Sequence, residues 1–244
     1  MEPRESLHEL EMWMLRFRRA RALVVDVLGN RGGARQALLR LFSEITPRGG
    51  PPRVVNVAAV RRHPAHGPHH LQARFMAPAD SETWSPRERR AIRDVATTFD
   101  PEVELPPGQF GEWNYLVLSP LREFPTAAPA TERPVYVLMD EKCFSATDIF
   151  LAGLKGLPGV ILVGAASSGG SAFAQRIVLS EWPRLEVRLA SMASFRADGR
   201  LFDGHGVQPD VVVEPAPEDF VSRSDRVLEE ALRLAQGDLG RISQ

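Results

Sequence analysis

The stretch Lys142-Cys143-Phe144-Ser145-Ala146-Thr147-Asp148-Ile149-Phe150 holds the residue types most able to do chemistry in this chain. It follows a strongly apolar strand candidate, Pro134 to Met139, and opens an apolar-periodic helix. Ser145 therefore falls at a strand-to-helix turn. Unpaired backbone N–H groups and the positive end of the helix dipole converge at such a turn and favour a developing oxyanion. A hydroxyl there is placed for acyl transfer. The competing reading is structural, because Ser145 with Asp148 three residues on is also the S-x-x-D pattern of a helix cap.

Few other residues compete for a chemical role. Cys143, the single cysteine, lies two residues before Ser145 and reads as a small buried apolar residue rather than a nucleophile. Alone, it excludes an intrachain disulfide framework. Four of the six histidines, His63, His66, His69 and His70, fall in one loop broken by Pro64 and Pro68. No carboxylate or thiolate sits beside them, so a solvated loop is expected and no metal or other cofactor is assigned. The only lysines are Lys142 and Lys155. A net charge of −1 gives no general pull towards nucleic acid or a membrane surface. No apolar run reaches membrane-spanning length, and the N-terminus lacks the apolar core of a signal peptide. Taken literally, the chain stays in the cytoplasm.

The elements that must position Ser145 can be read from periodicity. Residues 5–20 suggest a helix, and Ala22 to Leu28 a near-continuous apolar strand of the buried parallel kind. Gly29-Asn30-Arg31-Gly32-Gly33 follows, then a helix from Ala34 to Ile45. This strand, glycine-rich turn and helix lets backbone N–H groups approach a ligand, though it matches neither phosphate-binding fingerprint. Arg53 to Val60 reads as a second strand. Ser85-Pro86-Arg87-Glu88 is a helix start with N-cap, N1 proline and capping-box glutamate. Trp113 to Leu118 reads as a short strand between proline-rich connections, so residues 61–130 look like an insertion on the main domain. Gly159 to Gly164 is another buried strand. Ala174 to Leu179 and Leu185 to Ala190 form a hairpin pair, Val211 to Glu214 a last strand, and Val227 to Ala235 an amphipathic helix. Strands alternating with helices predict an α/β domain with mainly parallel order.

Asp26-Val27-Leu28-Gly29-Asn30-Arg31-Gly32-Gly33, then Phe144-Ser145-Ala146-Thr147-Asp148-Ile149, then Val163-Gly164 with Gly169-Gly170, and finally Asp203-Gly204-His205-Gly206-Val207-Gln208-Pro209-Asp210 occur in this order. In this order they resemble the tail-specific proteases, the C-terminal processing family of serine peptidases, over roughly residues 18–220. In that family an apolar strand ends in D-x-R-x-N-x-G-G, the nucleophile lies in S-A-S-E-I, and D-G-x-G-V-x-P-D closes the core. The resemblance implies a crotonase-like (Clp protease-like) spiral of β-β-α units. It makes Ser145 the nucleophile, with an oxyanion hole from the backbone N–H of Ala146 and of Gly32 or Gly33. It implies peptide or unfolded-protein substrates and no cofactor.

This sequence departs from the family pattern at the base. Many members carry a lysine in V-G-x-x-x-x-G-K, where this chain has Gly170. Lys155 lies about three helical turns from Ser145, too far to deprotonate it. The chain instead resembles the tricorn-like branch, in which Asp203 matches an acidic partner and the base is an upstream histidine. Only about 20 residues precede the first strand here. His205 is a candidate substitute base, and His8 a second one if the first helix folds over the site. The expected organisation is an N-terminal helix over 1–21, the remnant of a longer upstream part, a protease core over 22–220, and a C-terminal helix and tail over 221–244. The base would then come from a partner chain, from a homo-oligomer or from a longer product, which would also reopen an extracytoplasmic location. The alternative is an inactive member that binds peptides or apolar ligands, as the similar interphotoreceptor retinoid-binding proteins do.

Overall fold

An apolar strand without polar alternation needs cover on both faces, and this chain provides it with two sheets and with helices between and outside them. The computed structural model describes residues 3–46, 50–62, 69–119, 133–172, 174–214, 216 and 225–242. In chain order, α1 (Pro3–Arg16) leads through a 3-10 turn (Phe17–Arg19) to β1 (Leu23–Asp26) and α2 (Gln36–Ile45). Next come β2 (Arg53–Val60), the short α3 (His69–Gln72), β3 (Ala77–Pro78), α4 (Pro86–Thr98) and β4 (Asn114–Leu118). Then follow β5 (Val135–Met139), α5 (Ala146–Leu154), β6 (Val160–Gly164) and the hairpin of β7 (Ala174–Leu179) and β8 (Trp182–Ala190). The chain closes with β9 (Met192–Phe195), β10 (Val211–Val212) and α6 (Arg226–Ile242).

One sheet is parallel, in the order β1-β5-β6-β10. The other, β3-β4-β2-β9, is antiparallel, and β7 pairs with β8 in a separate two-stranded ribbon. The expectation of mainly parallel strands therefore fails for the second sheet. The reason is physical: the segment Arg53–Val60 is apolar on both faces because helices cover both, and that pattern does not distinguish the two strand directions.

Helix α5 is the centre of the fold. On its sheet, Val135, Val137 and Met139 of β5 pack with Ile149, Phe150 and Leu154 of α5 and Phe42 of α2, while the alternate residues Tyr136 and Leu138 pack with Ala231 and Ala235 of α6. From the other side, Val55, Ala58, Leu116 and Leu118 of the second sheet close over the same α5 core. The outer face of that sheet, with Val54, Val57, Tyr115 and Val117, is covered by Trp84 and by Ile92 of α4. Val54 and Val57 are an odd number of residues apart, which in a regular strand puts them on opposite faces. A β-bulge between Val54 and Asn56 returns them to one face. Enclosed on all sides, α5 is apolar around its whole circumference.

The stretch 61–130 supplies β3, α4 and β4 to this second sheet, with β4 lying between β3 and β2. His63, His66 and most of the proline-rich connection after β4 lie outside the described residues, while His69 and His70 open α3. Among the described residues, no helix is long and apolar enough to cross a membrane and no group of three His, Cys, Asp or Glu is placed to hold a metal ion.

The start of α4 is the capping box expected from Ser85-Pro86-Arg87-Glu88. Ser85 Oγ accepts from Glu88 N at 3.3 Å, and Glu88 Oε2 accepts from Ser85 N at 2.9 Å. The second carboxylate oxygen of Glu88 accepts from Ser119 Oγ at 2.7 Å and so fastens the helix to the end of β4. Ser85→Ala should therefore cost about 1 kcal/mol of stability in urea denaturation, the usual value of a lost N-cap.

Candidate active site

Ser145 sits where the end of β5, the loop after β1 and the start of α5 are sewn together. Asp140, just past β5, turns the chain by accepting from Lys142 N and Cys143 N, both at 3.1 Å, through Oδ1. Its two oxygens also accept from Gly29 N across the cleft, at 2.9 and 3.0 Å. Asn30 completes the joint. Its carbonyl accepts from Phe144 N at 3.1 Å, and its side-chain Oδ1 accepts from Thr147 Oγ1 at 3.0 Å and from Gly32 N at 2.9 Å. Cys143 is fully buried in this joint, with Sγ donating to Val27 O at 3.0 Å, and burial pushes its thiol up to about 12. Such a thiol is no nucleophile at neutral pH.

The turn holds Ser145 at φ 61° and ψ −114°, a conformation an L-residue rarely adopts. Strain of this kind costs on the order of 1–3 kcal/mol and persists where the surroundings enforce it. It resembles the sharp strand-to-helix elbow that exposes a nucleophile. The helix-cap reading of Ser145 is corrected here. The Ser145 side chain makes no cap hydrogen bond, and Oγ has no partner among the described residues. Asp148, the other half of the pattern, does take the Ser145 N–H, but its main work lies elsewhere. Fully buried, it accepts from Ser167 Oγ at 2.5 Å and from the N–H groups of Gly169 and Gly170, both at 3.2 Å. Burial pushes this carboxyl up from its ordinary range, and the donors from Ser167, Gly169, Ser145 and Gly170 pull against that shift. Asp148 thus holds the loop of residues 167–170 against the first turn of α5.

The glycine loop after β1 packs directly against the Ser145 turn. A methyl group on Gly32 would lie 2.6 Å from Ala146 N, 2.5 Å from Phe144 O and 2.9 Å from Ser145 Cβ. Only glycine, here at φ 80°, lets the loop pack this closely against the turn that holds Ser145. The N–H of Gly32 is spent on Asn30. The N–H groups of Ala146 and Gly33 carry no hydrogen bond among the described residues and are the two available donors. A cavity of about 660 Å³ opens next to them, walled by apolar groups that include Trp13, Leu38 and Phe150.

The remaining candidates divide. Asp203 is brought to the site: its Oδ1 lies 3.3 Å from where a side chain on Gly170 would begin. The same side chain would run into the ring of Phe144, which stands 41% exposed over Gly170. A lysine is absent at position 170, and a side chain there would have to move the exposed Phe144 ring aside. Though Asp203 is exposed as a residue, removal of water from its carboxyl pushes it above the ordinary carboxylate range, against the pull of its own backbone N–H. His205 is not brought to Ser145. Its ring is 59% exposed, with Nε2 facing Glu102 Oε1 at 3.7 Å. His8 is exposed on α1. Sequence reasoning missed Phe144 as the group that fills the lysine position and Asp148 as the clamp on the second loop. Two glycines in series at 169–170 were the visible trace of both.

The family model for Peptidase family S41 matches residues 2–213. Among solved structures, a candidate peptidase from Parabacteroides merdae ATCC 43184 is 19% identical with a TM-score of 0.62, covering 94% of this chain and 56% of that one. Mature CPAF is 16% identical with a TM-score of 0.55, covering 87% of this chain and 43% of that one. A candidate S41 protease from Bacteroides fragilis NCTC 9343 is 16% identical with a TM-score of 0.52, covering 94% and 49%. At these identities the likeness is one of fold, and this chain spans about half the length of the structures it matches. Comparison with curated proteins finds no match.

Replacing Asp148 by Asn should cost about 2–3 kcal/mol, the scale of charge-assisted hydrogen bonds lost in a buried site. An amide nitrogen cannot accept from the N–H groups that now converge there. A lowered melting temperature, with Gly169 and Gly170 amides exchanging faster in deuterated water, is the expected outcome.

Proposed function

The chain belongs to peptidase family S41, and from that premise we propose that it is a serine peptidase core of the C-terminal processing type, with Ser145 as its nucleophile. Ser145 Oγ adds to the carbonyl carbon of a peptide bond, and its proton passes to a base. The oxyanion that forms takes hydrogen bonds from Ala146 N–H and Gly33 N–H. The C–N bond then breaks, the amine leaves with a proton, and water releases the acyl group from Ser145. The carrying observation is the strained turn that presents an unpartnered Ser145 Oγ, with the free N–H groups of Ala146 and Gly33 on the adjoining cavity. The two sheets with α5 between them fit the crotonase-like spiral of β-β-α units that goes with this reading.

Asp203 is the acidic partner, close to Phe144 and Gly170 and able to hold the charge of a base or of substrate. The base is supplied by a group that closes on Ser145 Oγ when substrate binds, from this chain or from a partner chain. His205 could serve only after leaving Glu102. The substrates are peptides or unfolded proteins, whose apolar side chains suit the cavity beside Gly33 and Ala146.

Labelling by a fluorophosphonate probe tests the nucleophile. Labelling that disappears in Ser145→Ala supports the reading, and a folded chain that is never labelled, with or without partner chains from its source, sinks it. Where peptide cleavage is measurable, Ser145→Ala should lower kcat by on the order of 10⁴ or more.

Two further outcomes follow from the groups around Ser145. Because Asp203 acts ionised and its carboxyl is pushed up from 3.8, the acid limb of the activity profile should lie above pH 3.8 and flatten in Asp203→Asn. Gly170→Lys alone should swing the exposed Phe144 ring aside with less than about 1 kcal/mol lost in urea denaturation. Adding Phe144→Ala should free the lysine to reach Ser145 and raise the rate of fluorophosphonate labelling above that of Gly170→Lys alone.

A further inference from the structure

Strand β1 is an edge of the parallel sheet, paired only with β5. Leu23 N and Val27 N donate towards that neighbour, to Pro134 O at 3.0 Å and to Leu138 O at 3.2 Å. Successive residues of a strand turn their backbone groups to opposite sides. Val24 and Asp26 therefore turn N–H and C=O away from β5, where no described residue bonds to them.

The other edges of the two large sheets are blunted. β10 and β3 are each two residues long, and β3 ends in Pro78. β9 is covered, since Phe195 bridges to Leu201 and Ser194 O accepts from Phe202 N at 3.0 Å. β1 has none of these devices: Leu23-Val24-Val25-Asp26 carries no proline, lysine or bulge. Its one charge is folded back, with Asp26 Oδ1 accepting from Leu28 N at 2.9 Å. Such an edge is a template for an extended chain.

This edge opens on the cavity of the site. Val24 to Val27 line the cavity together with Gly33 and Ala146, whose N–H groups are the available donors. Its apolar wall includes Trp13 and Met14 of α1 and Leu38 and Leu41 of α2. Val25 lies in this layer, while Val24 packs on the opposite face of the sheet with the α6 layer. A residue laid beside Val25 would thus point its side chain into the cavity, and its two neighbours would point away.

We propose that the substrate adds to β1 as a further strand, its backbone held by Val24 and Asp26 and one apolar side chain seated between α1 and α2. The assignment rests on the peptidase reading of Ser145 and states how that substrate is held. The occupant is a peptide because one cavity contains both the strand edge and the donors for a carbonyl under attack. A chain extended along β1 runs on past the carboxyl end of the strand, where Gly33 lies. Backbone pairing is indifferent to side chains, so the cavity supplies the selection. The substrates are unfolded segments with a large apolar residue. Proline is excluded wherever its missing N–H would face Val24 O or Asp26 O.

The test uses the full chain carrying Ser145→Ala and a fluorescein-labelled decapeptide of serine and threonine with one central phenylalanine, followed by anisotropy. Phenylalanine in the cavity sets the register. Each peptide N–H is then methylated in turn, which removes one donor and leaves the side chains unchanged. Two positions, two residues apart, should weaken binding about fivefold or more, roughly the net worth of one hydrogen bond. They flank the phenylalanine if the peptide runs antiparallel to β1, and are the phenylalanine and the residue two beyond it if parallel. In hydrogen exchange, the Val24 and Asp26 amides should slow about tenfold or more when the unmethylated peptide is bound. Equal loss at every methylated position, loss at none, absence of binding, or no slowing at Val24 and Asp26 overturns the strand addition. A dimer in sedimentation equilibrium whose Val24 and Asp26 amides are protected without peptide gives the edge to a second copy and overturns it as well. Fluorophosphonate labelling of the unmutated chain separates the two readings. Labelling without the alternating pattern removes the strand addition alone, and the pattern without labelling removes the peptidase chemistry alone.

Discussion

One side-chain oxygen joins the two loops closest to Ser145. Asn30 Oδ1 receives Thr147 Oγ1 from the first turn of α5 and Gly32 N from its own loop. With the Asn30 carbonyl on Phe144 N and the Asp140 carboxylate on Gly29 N, that acceptor fixes the loop after β1 against the helix that begins at Ser145. Without it, Gly32 would not press its bare α-carbon against Ala146, and Gly33 would have no reason to present its N–H to the same space. The Gly32 N–H itself is used up in the joint, which separates the two glycines into a structural one and a donating one. Backbone groups so held need no reorganisation when charge develops near them, which is where their advantage over water lies.

A second constraint works from the opposite wall. Asp148 lies fully buried among hydrogen-bond donors from Ser167, Gly169 and Gly170 and ties that loop to the same helix end. Both loops thus hang from α5, and α5 is held by apolar packing against both sheets. The parallel sheet supplies the strand that feeds the Ser145 turn, and the antiparallel sheet supplies Ser194, whose hydroxyl hydrogen-bonds Ser171 just past Gly170. Position in the cleft is therefore decided by the core rather than by surface loops. This is the arrangement expected when functional groups are carried on rigid elements.

Much of this was legible in the sequence. Val135 to Met139 announces a strand covered on both faces, and the box at Ser85 announces its helix, because each pattern concerns residues adjacent in the chain. The strand-to-helix position of Ser145 is readable for the same reason. What was not legible comes from contacts across long separations. The direction of β2 is set by partners at residues 114–118 and 192–195. Phe144 fills the space over Gly170 from 26 residues away, and Arg35 meets Arg74 across 39. Ser145 was the most ambiguous case. A capping serine and an exposed nucleophile share one sequence signature and differ in a backbone angle that only the packed joint imposes.

That angle sets the fold and its chemistry at odds. At φ 61° the backbone of Ser145 would be more at ease as glycine, the residue for which such angles carry no steric penalty. A descendant of this chain released from catalysis would gain stability by making that one exchange. Drift alone would therefore push position 145 away from serine, so on the proposed reading the nucleophile stands against the preference of the fold.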